Sequence, residues 1–438
     1  MEATMKRIFT CFGSLDDHLK ELLRGATTAA SLKIVAAFAT FSLHLMLGRT
    51  LGPEGSGVYF LAFTIVTIAA TLARFGLDNT LVRFIAAGEA ANQPERVRGV
   101  YRLGVWITAT ISCVLGGLLC TATPWLATSV FKDAALVTPL QIMTLAIPPF
   151  ALFVIHAQAL QGLKRIRDAI ATLSVISPIL TALMGFVLIP VFGVSGAVSG
   201  YVVAAVITLL FGVWRWKYFM VLHREVKPRF DIKELLESAI PLFWVAAMNM
   251  LIMWVPTLIL GAFGTSYDIG LFSAANRTAM LVSFVLIAVN SIAAPKFAAL
   301  HQEGNIHALR LVAKSSTRIM IAVALPALIM FLAFPGTVMS CFGKEFQQAS
   351  FLLQIMGVGQ FINVATGSVG FLLIMTGRES KYNLSLKIAT VLCISASFVL
   401  IPHYGALGAA ISTAVTVAAQ NVIAWNIVRK FLFNGSCA

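Results

Sequence analysis

Long apolar stretches recur along almost the whole chain, and charged residues, glycine or proline separate each stretch from the next. Each is close to the roughly 20 apolar residues that an α-helix needs to cross the hydrocarbon core of a bilayer. The pattern therefore predicts an all-α polytopic membrane protein with about 12 transmembrane helices. The predicted spans are 27–47, 57–77, 103–123, 137–160, 169–189, 195–215, 239–262, 270–293, 317–337, 350–375, 385–401 and 405–428.

Composition supports this interpretation. Of the 438 residues, 59% are apolar and only 11% are Asp, Glu, Lys or Arg, with a mean hydropathy of +0.89. A soluble chain of this length could not cover so much apolar surface with so little charge, which excludes a cytosolic enzyme, a disordered protein and a secreted disulfide scaffold. The six cysteines form no CxxC pair. We therefore expect no cofactor and no metal site.

The excess of positive charge has a specific distribution. The chain has 32 Lys and Arg against 18 Asp and Glu, a net charge of +14, which in a soluble protein would suggest nucleic acid as a partner. Here nearly all the cations fall in the termini and in alternate loops, as the positive-inside rule requires. We therefore expect no nucleic-acid partner and both termini in the cytoplasm. The exceptions are Arg49, Lys132 and Lys344 in the opposite loops, and Lys33 and Arg277 within spans.

An internal repeat divides the chain into two halves. Residues 186–197 recur at 398–409, with eight identities in twelve, and residues 52–59 resemble 264–272. A repeat of six spans gives two copies with the same orientation in the membrane. We predict two parallel six-helix lobes, 27–216 and 239–428, around a central cavity, which favours a transporter over a receptor or an enzyme. The remaining predicted segments are an N-terminal segment 1–26, a linker 217–238 and a tail 429–438, all cytoplasmic.

Ionisable residues inside the predicted spans are cations. None of the 18 acidic residues lies in the middle of a span, whereas Lys33, Arg74 and Arg277 lie within or at the ends of spans. A cationic interior favours an anionic ligand, of which a phosphate group is the commonest. Two alternatives remain: Lys33 could extend to the interface, and Arg74 could end its helix paired with Asp78.

Other polar residues share helix faces with these cations. At 100° per residue, Thr40 and His44 lie on the face of Lys33, Thr71 lies on that of Arg74, and Asn276 and Asn290 lie near that of Arg277. Because lipid cannot satisfy polar groups, we expect these faces to point into the protein and line the cavity. The alternatives are polar packing for His44 and helix–helix contact for the threonines.

Several motifs together resemble the polysaccharide transporter, or Wzx-type, flippases of lipid-linked oligosaccharides. That family shares a superfamily with the multidrug and toxin extrusion exporters. The motifs are residues 47–59, 75–84, 230–242 and 270–277, and the Ile-Pro-x-x-Gly-x-x-Gly-Ala pattern at Pro190 and Pro402. The sequence departs from the family pattern at 254–261, where many members carry an acidic residue and this chain has none. That departure weakens a simple proton-coupling mechanism.

The resemblance implies two lobes that open alternately to either side of the cytoplasmic (inner) membrane. The implied substrate is an oligosaccharide on a polyprenyl diphosphate, a membrane lipid used for O-antigen, capsule or exopolysaccharide synthesis. Pathway glycosyltransferases and a polymerase would be the partners, and the protein would be a transporter without enzymatic activity.

Three alternatives have distinct sequence requirements. A multidrug or cation antiporter of the same superfamily needs a carboxylate within the membrane, which is missing here. A membrane-embedded glycosyltransferase or polymerase needs a large extramembrane loop, and the longest loop here is about 25 residues. A sugar porter of the major facilitator type would carry Gly-x-x-x-Asp-Arg after its second helix, where this chain has Arg74-Phe75-Gly76-Leu77-Asp78.

Overall fold

Helices form all the regular secondary structure in residues 17–221 and 232–433, the parts of the chain that a computed structural model describes. Within these residues, eight helical stretches are long and apolar enough to cross a membrane, and a ninth candidate is a pair of helices bent by 46°. The prediction of an all-α polytopic membrane protein is confirmed.

The helices of the first half are α1 (Asp17–Arg74), α2 (Leu77–Ala90), α3 (Pro94–Trp125), α4 (Val137–Thr144), α5 (Ile147–Gly162), α6 (Ile166–Ile170) and α7 (Ile176–Phe219). Those of the second half are α8 (Ile232–Phe263), α9 (Ser266–Ala279), α10 (Phe284–Gln302), α11 (Ile306–Ala333), α12 (Pro335–Ser340), α13 (Ser350–Ala365), α14 (Val369–Met375) and α15 (Glu379–Phe433).

The three longest helices, α1, α7 and α15, each fold back on themselves at a glycine. Gly52, Gly193 and Gly405 have φ values of 65°, 54° and 53°, a region that glycine adopts without steric cost. Side chains then meet across each bend. For example, the rings of His44 and Phe60 stack with centroids 5.3 Å apart on either side of the bend in α1. Each of these segments therefore supplies two antiparallel helices.

The internal repeat extends from the sequence to the backbone. Gly193 has ψ −131°, and Gly405, its counterpart in the repeat, has ψ −130°. Just beyond each bend, Gly196 and Gly408 approach the carbonyl oxygens of the preceding arm of the hairpin so closely that a Cβ at either position would overlap them. The same repeat offset relates the first residue of α3, Pro94, to the first residue of α11, Ile306. The two halves thus share local conformations as well as sequence.

Several elements differ from the predicted pattern. The predicted span 137–160 is divided into α4 and α5, and the predicted span 350–375 is divided into α13 and α14. Helix α2 forms within what the apolar pattern assigns to a loop, because Leu77, Leu81 and Ile85 are buried against a small second core. Helix α8 begins at Ile232 and continues to Phe263, so it includes the end of the predicted linker 217–238 as well as the predicted span 239–262. Its apolar stripe continues through the fully buried Leu235 and Ala239, so nothing breaks the helix there. Residues 1–16 and 222–231, which include parts of the predicted N-terminal segment and linker, and residues 434–438 of the predicted tail lie outside the described residues.

One large apolar core joins the two halves. It includes Leu61 from α1 and Phe272 from α9, both almost fully buried, together with residues of α5, α11 and α13. Small residues bring α1 and α9 close together: a Cβ at Gly57 would overlap the carbonyl oxygen of Ser266, and a Cβ at Gly270 would overlap that of Pro53. The segments that the sequence marks as related, 52–59 and 264–272, therefore pack directly on each other.

Candidate functional site

A cavity of about 760 Å³, called here the main cavity, lies among α10, α13, α14 and α15, with one wall residue from α1. The wall from α1 is Lys33, an exposed residue within a predicted span. In the described part of the chain, no acidic side chain lines this cavity. Its other polar lining residues are Ser283, Asn290, Gln360, Asn363, Ser368, Tyr382, Gln420 and Asn421.

A much smaller pocket of about 20 Å³, called here the arginine pocket, adjoins the main cavity. Met280 lines both spaces, so they are neighbours. Arg277 lies in the arginine pocket with its guanidinium carbon 5.8 Å from the centroid of the Trp254 ring, a cation–π distance. Thr64 and Asn276 supply further polar atoms. Within residues 17–221 and 232–433, no carboxylate forms an ion pair with Arg277, so no acidic side chain neutralises its charge.

The helical path changes between the two spaces. Helix α9 ends at Ala279, a tight 3₁₀ turn covers Met280–Ser283, and α10 then continues from Phe284. Short 3₁₀ segments within a helix often mark hinges. Arg277 and Asn290 lie on opposite sides of this turn, so rotation at it would move the arginine pocket relative to the main cavity.

The two halves of the chain are in contact at the end of the molecule away from Lys33. The Nε–H of Arg49 donates to the carbonyl oxygen of Cys341 at 2.6 Å, and the rings of Phe41 and Phe342 meet edge to face at 5.8 Å. The hydroxyl of Ser266 also donates to the carboxylate of Asp133. Together with the α1–α9 contact, these bonds close that end of the space between the halves.

The structure separates the predicted site residues into two groups. Lys33 and Asn290 line the main cavity, and Asn276 and Arg277 line the arginine pocket. Ser273 lines the arginine pocket as well, and Ser283 lines the main cavity. The polar face predicted around Arg277 thus lines both spaces.

The other predicted residues lie in neither space. Thr40 and Thr71 donate to backbone carbonyls one turn earlier in α1, and the Nδ1 atom of His44 lies 2.5 Å from the carbonyl oxygen of Thr40. Arg74 donates through Nε to both carboxylate oxygens of Asp78, at 2.9 and 3.0 Å, and through Nη2 to Thr71. Arg74 is thus paired with Asp78 at the helix end, whereas Thr40, His44 and Thr71 make their backbone hydrogen bonds within α1.

Removing Arg74 is expected to destabilise the protein. The side chains of Arg74 and Asp78 are only 10% and 22% exposed, so Arg74→Ala would leave a partly buried carboxylate without its cation. We expect a loss of about 2–3 kcal/mol in the free energy of unfolding, which is less than the roughly 3–5 kcal/mol for a fully buried pair because both side chains are partly exposed. Thermal unfolding in detergent measures the effect, with the exposed Lys387→Ala as control. Adding Asp78→Ala to the variant should restore part of the loss, and independent effects of the two substitutions would contradict this pairing.

The amides of the main cavity were missed by the sequence reasoning, which considered charged residues first. Gln360 and Asn363 lie three residues apart on α13, and Gln420 and Asn421 are adjacent on α15. Each pair lies within a long apolar span, where lipid could not satisfy an amide. That signal is visible in the sequence and predicts interior positions.

Comparison with known families and proteins places the chain in a recognisable group. A family described as "Polysaccharide biosynthesis protein" matches residues 22–301. A putative O-antigen transporter of Shigella flexneri is 22% identical over 384 residues, which cover 85% of this chain and 89% of that protein. The capsular polysaccharide biosynthesis protein CapF of Staphylococcus aureus is 27% identical over 188 residues, and stage V sporulation protein B of Bacillus subtilis is 23% identical over 188. Each of these two alignments covers 42% of this chain, and the chain spans 47% and 36% of those two relatives.

Two solved structures have a similar fold. One is a multidrug resistance MATE family transporter of the MOP superfamily in an inward-facing conformation, with a TM-score of 0.75, 16% identity and coverage of 93% of this chain and 100% of the other. The other is the lipid II flippase MurJ in an inward closed conformation, with a TM-score of 0.74, 13% identity and coverage of 92% and 87%. At these identities the likeness is one of fold.

Proposed function

Because this chain belongs to the family of polysaccharide biosynthesis proteins, we propose that it is a flippase for oligosaccharide units linked to a polyprenyl diphosphate. It would move them across the cytoplasmic membrane by alternating access, for the synthesis of O-antigen, capsule or exopolysaccharide. The observation that carries the proposal is a main cavity lined by amides and one lysine, beside a pocket that holds an arginine, with no acidic lining residue among those described.

Each part of such a substrate has matching groups in these two spaces. A diphosphate carries negative charge, which Arg277 and Lys33 would neutralise while the head group is out of water. Sugar hydroxyls both donate and accept hydrogen bonds, as do the amides of Gln360, Asn363 and Gln420. The polyprenyl chain would remain in the lipid. Moving the charged head group through bare hydrocarbon would otherwise cost many kcal/mol.

The proposed mechanism needs two lobes whose shared cavity opens first to one side of the membrane and then to the other. We propose twelve spans in two parallel lobes, 27–216 and 239–428, because α1, α7 and α15 each fold back at a glycine and one further span is bent. With both termini in the cytoplasm, the contacts of Arg49 with Cys341 and of Gly57 with Ser266 lie at the outer end. The conformation is then the inward-facing one, ready to accept the substrate where it is made. Glycosyltransferases and a polymerase of the same pathway are the proposed partners.

A multidrug or cation antiporter is the second candidate, because a MATE transporter shares the fold. The cavity chemistry distinguishes the two. Organic cations need a carboxylate or an electron-rich cage within the membrane, and the only charged groups lining the two described spaces are Lys33 and Arg277. A like-charge ligand would be repelled there.

Flipping of a fluorescent polyprenyl-diphosphate oligosaccharide in proteoliposomes tests the proposal. We expect the purified full-length protein to expose the inner-leaflet fluorophore to a membrane-impermeant quencher, and protein-free vesicles to leave about half of the signal protected. The same vesicles loaded with an organic cation give the comparison. Inactivity on several such lipids together with export of the cation would replace the flippase by the antiporter.

A further inference from the structure

A basic pocket of about 460 Å³ lies between α11 and α15 in the second half. Three cations line it: Lys314 and Arg318 from α11, and Arg429 from α15. Trp425 lies beside them, with the guanidinium carbon of Arg429 5.5 Å from its ring centroid. Most of the remaining lining is apolar, including Phe297, Val369 and Leu372.

A second basic pocket of about 370 Å³ lies between α3 and α7 in the first half. Its cations are Arg98 and Arg102 from α3, and Lys217 from α7. Its aromatic wall consists of Tyr101 and Trp216, whose rings stack with centroids 3.9 Å apart. No acidic residue of the described chain lines either pocket.

The two pockets occupy the same place in the internal repeat. The offset that relates Gly193 to Gly405 also carries Arg102 onto Lys314 and Lys217 onto Arg429. It carries the start of α3 onto the start of α11 as well. The two halves therefore keep a pair of cations from corresponding helices at corresponding sites, although the aromatic residues around them differ.

We propose that each pocket binds the phosphate head group of an anionic membrane phospholipid. Basic pockets between transmembrane helices on the cytoplasmic side are suited to such head groups, because two or three cations replace the water around the phosphate. The tryptophans suit the boundary between head groups and acyl chains. The apolar lining would contact the first carbons of an acyl chain. A lipid bound at each site would stabilise the arrangement of α3 beside α7 in the first half and of α11 beside α15 in the second half.

A polyprenyl diphosphate presents the same phosphate chemistry, so the position of the pockets matters. Ser368 lines both the second-half pocket and the main cavity, and its hydroxyl donates to the side chain of Asn290. The first-half pocket shares no lining residue with the main cavity within the described chain. Because the site occurs again in the first half, at a place that does not adjoin the main cavity, a bulk phospholipid is favoured over the transported lipid as its ligand. The inference concerns binding and does not depend on the proposed transport.

Native mass spectrometry of the full-length protein, titrated with phosphatidylglycerol, tests the proposal. We expect two retained phosphatidylglycerol molecules in the wild type and one after Lys314→Gln, Arg318→Gln and Arg429→Gln together. We also expect one after Arg102→Gln with Lys217→Gln. The half-saturating concentration at the altered pocket should rise at least tenfold. Adding phosphatidylcholine, which has no net charge, should leave the number of retained phosphatidylglycerol molecules unchanged.

A charge-matched control keeps the result specific. Lys381→Gln, Lys387→Gln and Lys430→Gln remove three exposed cations that line neither pocket. This control should retain two lipids, and equal loss in the control and the pocket variants would overturn the proposal. Arg429→Gln alone gives a milder variant if the triple variant unfolds, and it should raise the half-saturating concentration several-fold.

Undecaprenyl diphosphate and inorganic phosphate compete in separate arms. Displacement of phosphatidylglycerol by undecaprenyl diphosphate at a tenfold lower concentration would overturn the phospholipid assignment in favour of the transported lipid.

Discussion

Replacing Arg277 with alanine is expected to reduce flipping of a polyprenyl-diphosphate oligosaccharide at least tenfold while leaving the protein folded in the membrane. Arg277 is the cation of the arginine pocket, has no carboxylate partner in the described chain and faces Trp254. Losing a charge-assisted hydrogen bond costs about 1.5–3 kcal/mol. If that bond stabilises the transition state of transport, the loss corresponds to about a tenfold to hundredfold decrease in rate. Quenching of the fluorescent lipid in proteoliposomes measures the rate.

Three companion variants make the interpretation of that result unambiguous. Arg277→Lys keeps the charge and should retain more activity than alanine, although it loses the planar fork that suits a diphosphate. Lys33→Ala should also slow flipping, but by less, because Lys33 is exposed and water can replace its contact with the substrate. Lys381→Ala removes an exposed cation outside both spaces and should have no effect. Wild-type flipping by a folded Arg277→Ala protein would remove this arginine from the mechanism.

Replacing Gly57 with valine is expected to prevent closure of the end of the molecule where α1 meets α9. A Cβ at Gly57 would overlap the backbone carbonyl of Ser266, which cannot move aside as a flexible side chain could. Gly270→Val meets the same obstacle at the carbonyl of Pro53. We expect transport at least tenfold below wild type for both variants, because a protein that cannot close one side cannot complete an alternating cycle.

The measurement for this prediction is the accessibility of the main cavity. A single cysteine at Asn290 in a cysteine-free protein reports on reagents added from either side of the membrane. In the glycine variants, it should become reactive toward a membrane-impermeant maleimide from the outer side. Gly117→Ala is the matched control, because a Cβ there meets nothing within 4 Å. Unchanged labelling together with normal transport would show that the α1–α9 contact is not a gate.

The sequence determines the class of fold because hydrophobic length is a strong constraint in a membrane. It also reveals the repeat, whose identical segments around Pro190 and Pro402 correspond to hairpins with the same backbone dihedrals. The helix α2 could not be foreseen from span length, since its burial depends on tertiary neighbours. Continuation of α8 back to Ile232 has the same cause, as Leu235 packs in the core that holds α2.

The candidate site was only partly predictable. The cations and amides of α9 and α10 share a helical face, and periodicity alone places Arg277 and Asn290 on the interior side. Helical periodicity alone does not decide the role of Arg74, because a cation at a helix end can pair with a carboxylate four residues away, as Arg74 does with Asp78 in the structure. Uncharged amides carry a weaker signal than charge, so Gln360 and Asn421 become evident only once the cavity is located.

The hairpins at Gly193 and Gly405 determine how little polypeptide the protein displays beyond the bilayer on that side. A single glycine reverses the chain, and the two helices already touch three residues later at Gly196 and Gly408. An epitope tag inserted at either bend would have to separate helices in direct contact, whereas a tag in a loop several residues long would not. A protease approaching from that side would find almost no extended chain at these two bends to cleave.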